Sequence, residues 1–274
     1  MRSVWTQAAI AALLGLVGQT QVSAQMQDNR EKTLTCRDNN WPDRAHFCEV
    51  REQTIPAVGR LAVGPSRNGG VAIKGWLSNQ VLVRSRVEAW ANADSDAKLL
   101  ASRVQVGANT GQVSATGPDS QGDSDSGWAV SYEIFVPQTT DLDVKAHNGG
   151  ISISDVRGHI EFSAHNGGVH LTRIGGDVAG STLNGGVNIE LAGNTWDGRQ
   201  LEVSTHNGGV QLQLPERYSA HLRTETVNGR VSSDLPEAAP QGNLRPRNLD
   251  VTLGGGGPLI HVSTTNGGVT LKRL

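Results

Sequence analysis

The chain of 274 residues is close to neutral, with 24 lysines and arginines against 26 aspartates and glutamates, and it has no basic block. That balance gives no electrostatic support for a nucleic-acid or anionic-membrane partner. Glycine is abundant at 34 residues and aromatics make up only 4%, which suits many tight turns between thin sheets rather than a broad aromatic core.

The first 24 residues read as a secretory signal peptide. Arg2 supplies the positive start, Ala8 to Val17 is apolar or small, and Val22-Ser23-Ala24 fits the small-x-small cleavage pattern, leaving Gln25 first. An apolar run of about ten residues is half what a membrane span needs, and no second one follows, so no transmembrane segment is expected in the mature chain. Residues 25–59 are expected to form an N-terminal extension. Its two cysteines, Cys36 and Cys48, are the only ones, and in an oxidising compartment they are expected to pair. Closing so short a loop stabilises by roughly 3 kcal/mol in the chain-entropy model. The competing reading, a metal site that adds His46, lacks a fourth ligand for a closed zinc tetrahedron.

From residue 60 to 274 the chain reads as one repeat domain, irregular over 60–141 and tight over 142–274. In the irregular part, Val81 to Trp90 alternates like a strand. Asp94 to Arg103 suits a short helix capped by Asp94 or Ser95. Gly117 to Gly127 is an acidic loop, and Trp128 to Val136 is a further strand closed by Pro137. These look like longer, decorated copies of the tight unit. Asp119, Asp123 and Asp125 in the loop could attract calcium, but they lack the order of an EF-hand loop, and a solvated loop is the simpler reading.

The unit itself is marked by Asn-Gly-Gly at Asn68, Asn148, Asn166, Asn184, Asn207 and Asn266, with Asn228-Gly229-Arg230 as a degenerate copy. Steps from Asn148 run 18, 18, 23, 21 and 38 residues, the last being two units or one with a long insertion. Aligned on the Asn, apolar columns appear after the glycines (Val71, Ile151, Val169, Val187, Val210, Val231, Val269) and six residues before it (Leu142, Ile160, Val178, Leu201, Leu222, Ile260). Two residues before it stands a small residue: Ala146, Ala164, Thr182, Thr205, Thr226 or Thr264. The period of two marks strands with one buried face. Asn and Gly at the corner tolerate positive φ, and the small column suggests that two sheets converge there.

Two all-β architectures fit. An antiparallel meander would use Asn-Gly as a hairpin turn. A single-chain β-solenoid with about 18–23 residues per coil would stack like residues at about 4.8 Å. Stacking would let the corner asparagines form a hydrogen-bonded ladder. It would also bring His147 and His165 about 5 Å apart, close enough to share a metal or simply to form an outward row. Leu183 separates His206 from that pair.

The segments His147-Asn148-Gly149-Gly150-Ile151, His165-Asn166-Gly167-Gly168-Val169, Asn184-Gly185-Gly186-Val187 and His206-Asn207-Gly208-Gly209-Val210 resemble those of a bacterial domain family of unknown function called "putative adhesin". So do Thr195-Trp196-Asp197-Gly198 and Leu214 to Ala220. The resemblance covers roughly residues 60–274 and implies a β-helical, solenoid-like domain at the cell envelope. It brings no catalytic residues.

No GxSxG, HExxH, Walker or GxGxxG motif is present. Gly254 to Gly257 precede Pro258 and a strand, so they read as a loop rather than a phosphate cradle. No catalytic residue, metal site or cofactor is expected. The expected function is an exported binding module, periplasmic, surface-bound or secreted, whose partner is a surface polymer or envelope protein. A β-helical polysaccharide-active enzyme and an envelope-stress scaffold are the alternatives.

Overall fold

The computed structural model describes residues 31–36, 44–64, 68–109, 111–119, 125–238 and 246–274. The signal peptide 1–24, its cleavage point and Asp123 lie outside the described residues. The first part of the chain runs β1 (Ala45–Pro56), β2 (Arg60–Val63), β3 (Val71–Trp76), β4 (Gln80–Ala91), α1 (Asp94–Arg103), β5 (Gln105–Asn109), β6 (Gln112–Thr116) and β7 (Gly127–Pro137). The units follow as strand pairs around each corner: β8 (Asp141–Asn148) with β9 (Ile151–Ser154), β10 (Arg157–Asn166) with β11 (Val169–Thr172), β12 (Gly175–Asn184) with β13 (Val187–Glu190), and β14 (Gln200–Asn207) with β15 (Val210–Leu214). Then come β16 (Ala220–Asn228) with β17 (Val231–Ser233), the edge strand β18 (Asn248–Leu253), and β19 (Leu259–Asn266) with β20 (Val269–Arg273).

The fold is all-β in character, with two mixed ten-stranded sheets. One has the order β1-β4-β7-β3-β9-β11-β13-β15-β20-β17, the other β18-β16-β19-β14-β12-β10-β8-β2-β6-β5. Each unit gives its long strand to one sheet and its short strand to the other. Neighbouring units pair in parallel and in register, for example Ile160 with Val178 and Val169 with Val187. The inward columns, including Leu142, Ile160, Leu201, Leu222, Val169, Leu171 and Ile189, form one buried core between the sheets. Burying each such side chain contributes roughly 1.5–3 kcal/mol.

Units do not stack in chain order. The C-terminal unit β19–β20 lies between β14–β15 and β16–β17, so β14 and β16 both pair with β19. The 38-residue step therefore contains a return path, including β18, which runs antiparallel on the outer side of β16.

The first half follows the decorated-copy expectation in part: β2–β3 and β6–β7 each place one strand in each sheet, whereas β1, β4 and β5 do not follow the unit. β2 and β3 join the parallel stack through β8 and β9, and β6 and β7 continue it in parallel on the far side of β2 and β3. β4 runs antiparallel between β1 and β7, and β5 antiparallel beside β6. β1 belongs to the segment read as an extension, yet it pairs with β4 along its whole length. α1 follows β4 and buries Ala97 and Ala101, and Ala101 and Val104 join the core beside Val83 and Val87. It thus covers core at the β1–β4 end of the stack, where a bare apolar end would otherwise face water. At the other end Leu235, Ala238 and Leu253 are buried beside β16 and β18. The N-cap of α1 is Ala93 rather than Asp94 or Ser95, and no side chain caps it.

Positive φ, the expected reason for the corner residues, holds at Gly69 (φ 121°) and Gly267 (φ 159°) only. Among described non-glycine residues only Asp155 (φ 57°) and Arg173 (φ 49°) are left-handed, so the corner asparagines are not. These two left-handed residues occupy the second turns of adjacent units, and Arg173 donates two 2.7 Å bonds to the Asp155 carboxylate. At the corners, space decides. A Cβ on Gly149, Gly167, Gly185, Gly208 or Gly267 would overlap the carbonyl oxygen of the first corner glycine in the preceding stacked unit. The second glycine is less crowded: a Cβ there would stand 3.0–3.4 Å from the carbonyl of the next unit in the stack, for Gly150, Gly168, Gly186, Gly209 and Gly268. Arg230 fills that second position in the unit at the end of the stack, with no corner beyond it.

Candidate ligand-binding groove

Alternation along the long strands leaves two columns facing outward beside each corner. Three residues before the Asn, in stack order, stand Lys145, Ser163, Ser181, Ser204, Ser263 and Glu225, paired strand to strand. One residue before it stand His147, His165, Leu183, His206, Thr265 and Val227. Together with Arg247 and Asn248 these columns line an open groove of about 1230 Å³ on the outer face of the sheet. Five strand spacings of about 4.8 Å give it a length of roughly 24 Å.

Its floor is a row of four serine hydroxyls, one per unit. The middle four units, from Ser163 to Thr265, contribute no lysine, arginine or carboxylate to the lining. Of the charges at the ends, Lys145 lies 3.4 Å from Asp143 and Glu225 lies 2.6 Å from Arg223, while Arg247 adds a cation at the Glu225 end. Glu161 and Glu202, two residues before their serines, flank the floor, and both are exposed.

The His147 and His165 rings are stacked, with centroids 4.8 Å apart and planes 13° from parallel. Imidazole lone pairs lie in the ring plane, so two parallel stacked rings aim them along parallel lines. A shared ion would require the rings to turn. Among the described residues no group of three or more His, Cys, Asp or Glu converges on a possible metal position.

The rim beside the groove is linked from unit to unit by side-chain hydrogen bonds. The seven corner asparagines form a continuous amide ladder in stack order Asn68, Asn148, Asn166, Asn184, Asn207, Asn266, Asn228. Each Nδ2–H donates to the preceding Oδ1, or in the last step Asn228 to Asn266, at 2.8–2.9 Å. Behind it, the small column proves to be more than small. Thr182, Thr205, Thr264 and Thr226 are buried, and each hydroxyl donates to a corner glycine carbonyl of the adjacent unit at 2.7–2.8 Å. Threonine fits there because it matches the space left by converging sheets and supplies the donor a buried carbonyl needs.

The other sheet presents a flatter polar face of Ser152, His170, Asn188, Gln211 and Thr270, with a shallow 420 Å³ depression around His170, Asn188 and Gln211. Far from both, Glu133 on β7 is buried. It accepts hydrogen bonds from Thr33 N–H (2.9 Å), Thr33 Oγ1 (2.6 Å), Leu34 N–H (3.1 Å), Lys74 Nζ (2.8 Å) and Arg84 Nη1. Burial pushes its carboxyl up, but the bonds from Lys74, Thr33 and Leu34 outweigh it and hold the pKa at about 2. This carboxylate fastens the segment 31–36 to the sheet, and Cys36 is bonded to Cys48 on β1 with a Cα separation of 5.8 Å. His46 lies 3.8 Å from Glu88, and Asp125 of the acidic loop lies 3.4 Å from Arg44.

The structure thus joins all seven corner asparagines and the first two histidines, while Leu183 and its unit stand between His165 and His206. The serine row escaped the sequence reading, although the same alignment on the Asn, read three residues upstream, displays it.

No family model and no curated protein matches the chain. Among solved structures it is similar to a "putative cell adhesion protein" from Clostridium sporogenes, with 10% identity, a TM-score of 0.38 and coverage of 82% of this chain and 100% of that one. It is also similar to a "putative adhesin" from Bacteroides fragilis at 9% identity and TM-score 0.33, over 82% and 97% of the two chains. A "putative lipid binding protein" from Parabacteroides distasonis stands at 8% identity and TM-score 0.25, over 83% and 96%. Likeness at these values says nothing about what this chain binds, which has to be read from its own residues.

Proposed function

We propose that this chain is an exported, non-catalytic binding module of the adhesin-like β-solenoid kind, and that its binding surface is the serine-floored groove. The observation that carries the reading is the register. Four serines and the corner asparagines repeat at one strand spacing along an open trough whose middle four units bring no lysine, arginine or carboxylate to it. Such a surface offers many equivalent weak contacts to a repeating partner, and few to a small molecule. Export is supported by the N-terminal signal pattern and by a cysteine pair placed to bridge, which suits an oxidising compartment. Membership of the NGG-repeat family rests on the corner segments around Asn148, Asn166, Asn184 and Asn207. A non-catalytic role is supported by the middle of the groove, whose lining contains no carboxylate to act as acid or base.

The test is retention on isolated cell-envelope material. The wild-type protein should co-sediment with it, and the groove variant Ser181→Val/Ser204→Val should not, while keeping its melting temperature. Equal retention of the two would refute the assignment of the groove. N-terminal sequencing of the protein recovered after export should begin at Gln25.

A further inference from the structure

The chemistry of the groove also specifies what kind of polymer it suits. We infer that it binds an extended, unbranched, neutral glycan lying across the strands along the stack; this rests on the groove being the binding surface.

Four partner classes can be compared against the same residues. A polyanion needs a row of cations to replace its counterions. The cations that line the groove, Lys145 and Arg247, stand only at its ends; the middle has no lysine or arginine, and its flank carries Glu161 and Glu202, which face Arg60 and His261. An extended peptide gains its affinity from main-chain bonds at a sheet edge, whereas the floor here is a sheet face whose backbone groups are already paired between strands. The spacing also disagrees. Side chains on one face of a peptide recur about every 6.6–6.8 Å, while the serines recur at about 4.8 Å. An acyl chain needs a continuous apolar wall, but Leu183 and Val227 are separated by His206 and Thr265 in the outward column.

A neutral sugar chain meets each condition. Its hydroxyls both donate and accept, as do those of Ser163, Ser181, Ser204, Ser263 and Thr265. A pyranose ring of an extended chain is close in length to one strand spacing of about 4.8 Å, so each ring can meet one unit, consecutive rings of a β-1,4 chain presenting opposite edges to the serine row. The Asn ladder fixes the spacing of the units, so little ordering of the protein opposes binding. Ser263 and Thr265 come from the C-terminal unit, so the inserted strand β19 also completes the floor.

The experiment is titration calorimetry of the full chain with unbranched β-1,4-linked glucose and N-acetylglucosamine oligomers of two to eight rings. Binding of at least one series is expected, with affinity rising at least tenfold from trimer to hexamer and levelling off beyond the length of the groove. Ser181→Val/Ser204→Val should weaken hexamer binding at least tenfold. Ser181→Thr/Ser204→Thr, which keeps the hydroxyls, should restore it to within threefold, and Asn188→Ala/Gln211→Ala on the opposite face should leave it unchanged. Failure of both series to bind, preference for polygalacturonate, or loss of binding only in the opposite-face variant would overturn the inference. If neutral glycans fail while envelope retention still depends on Ser181 and Ser204, the glycan is wrong and the groove stands. If retention ignores those serines, both readings fall.

Discussion

The inward column four residues before each Asn reads Val144, Phe162, Gly180, Val203 along four stacked units, and its middle pair should be strongly coupled. Phe162 is 4% exposed, and a Cβ built on Gly180 would stand 2.5 Å from its ring carbons. The ring therefore occupies the volume that a side chain at residue 180 would fill. Phe162→Val removes about four buried carbons, or about 3 kcal/mol at 0.8 kcal/mol per carbon. Gly180→Val forces a branched side chain into the ring and should cost about 1–3 kcal/mol from overpacking. Independent effects would sum to about 4–6 kcal/mol. The double variant instead restores a column of four valines, and replacing a strand glycine with a β-branched residue favours the strand. It should unfold within about 1 kcal/mol of wild type, a coupling of about 3 kcal/mol or more. Urea unfolding followed by tryptophan fluorescence, with the disulfide kept oxidised, measures all four corners of the cycle. Additive losses in the double variant would refute the packing argument.

Four further outcomes are expected. Asn184→Ala deletes one donor and one acceptor from the middle of the ladder, and should cost about twice the loss from Asn228→Ala, which removes one bond, at about 1 kcal/mol per bond; equal losses in thermal melts would mean that the ladder adds nothing. Thr224 is fully buried and its hydroxyl has no hydrogen-bond partner, so Thr224→Val should stabilise by about 1–3 kcal/mol in urea titration, and destabilisation would show the hydroxyl to be satisfied. Val169→Asp places a charge in the core and should lower the melting temperature severely, whereas His170→Asp, on the exposed face of the same strand, should barely change it; equal shifts would sink the register. Glu133 has a depressed folded pKa of about 2 against an ordinary 4.5, so its contribution is fully present above pH 4.5 and fades as pH falls towards 2. The stability gap between wild type and Glu133→Gln should accordingly shrink over that window, and a gap independent of pH would exclude an ionised Glu133 as the anchor.

The period-two columns, the corner asparagines and the stacked His147–His165 spacing were legible in the sequence because each is a local property repeated at fixed distance from one marker. Alternation sets which side chains face inward, whatever the neighbouring unit. The antiparallel pairing of β4 with β1 and β7 was not legible, since alternation is the same for either strand direction. The main reason for the corner glycines was hidden as well: outside Gly69 and Gly267, whose φ is positive, it is crowding between units far apart in the chain.

The sequence alone determined the unit, its buried and outward columns and the places of its turns. The order of stacking belongs to tertiary structure. Every corner offers the same N–H, carbonyl and Asn amide to its neighbours, so local bonding is indifferent to which unit comes next, and β19–β20 can enter between β14–β15 and β16–β17. The one local trace of that decision is Arg230. A side chain at the second corner position is crowded wherever another unit lies beyond, with a Cβ 3.2 Å from the next carbonyl at Gly268. The unit bearing arginine therefore fits best at the end of the stack, and the all-glycine unit that comes after it in the chain takes the inner place.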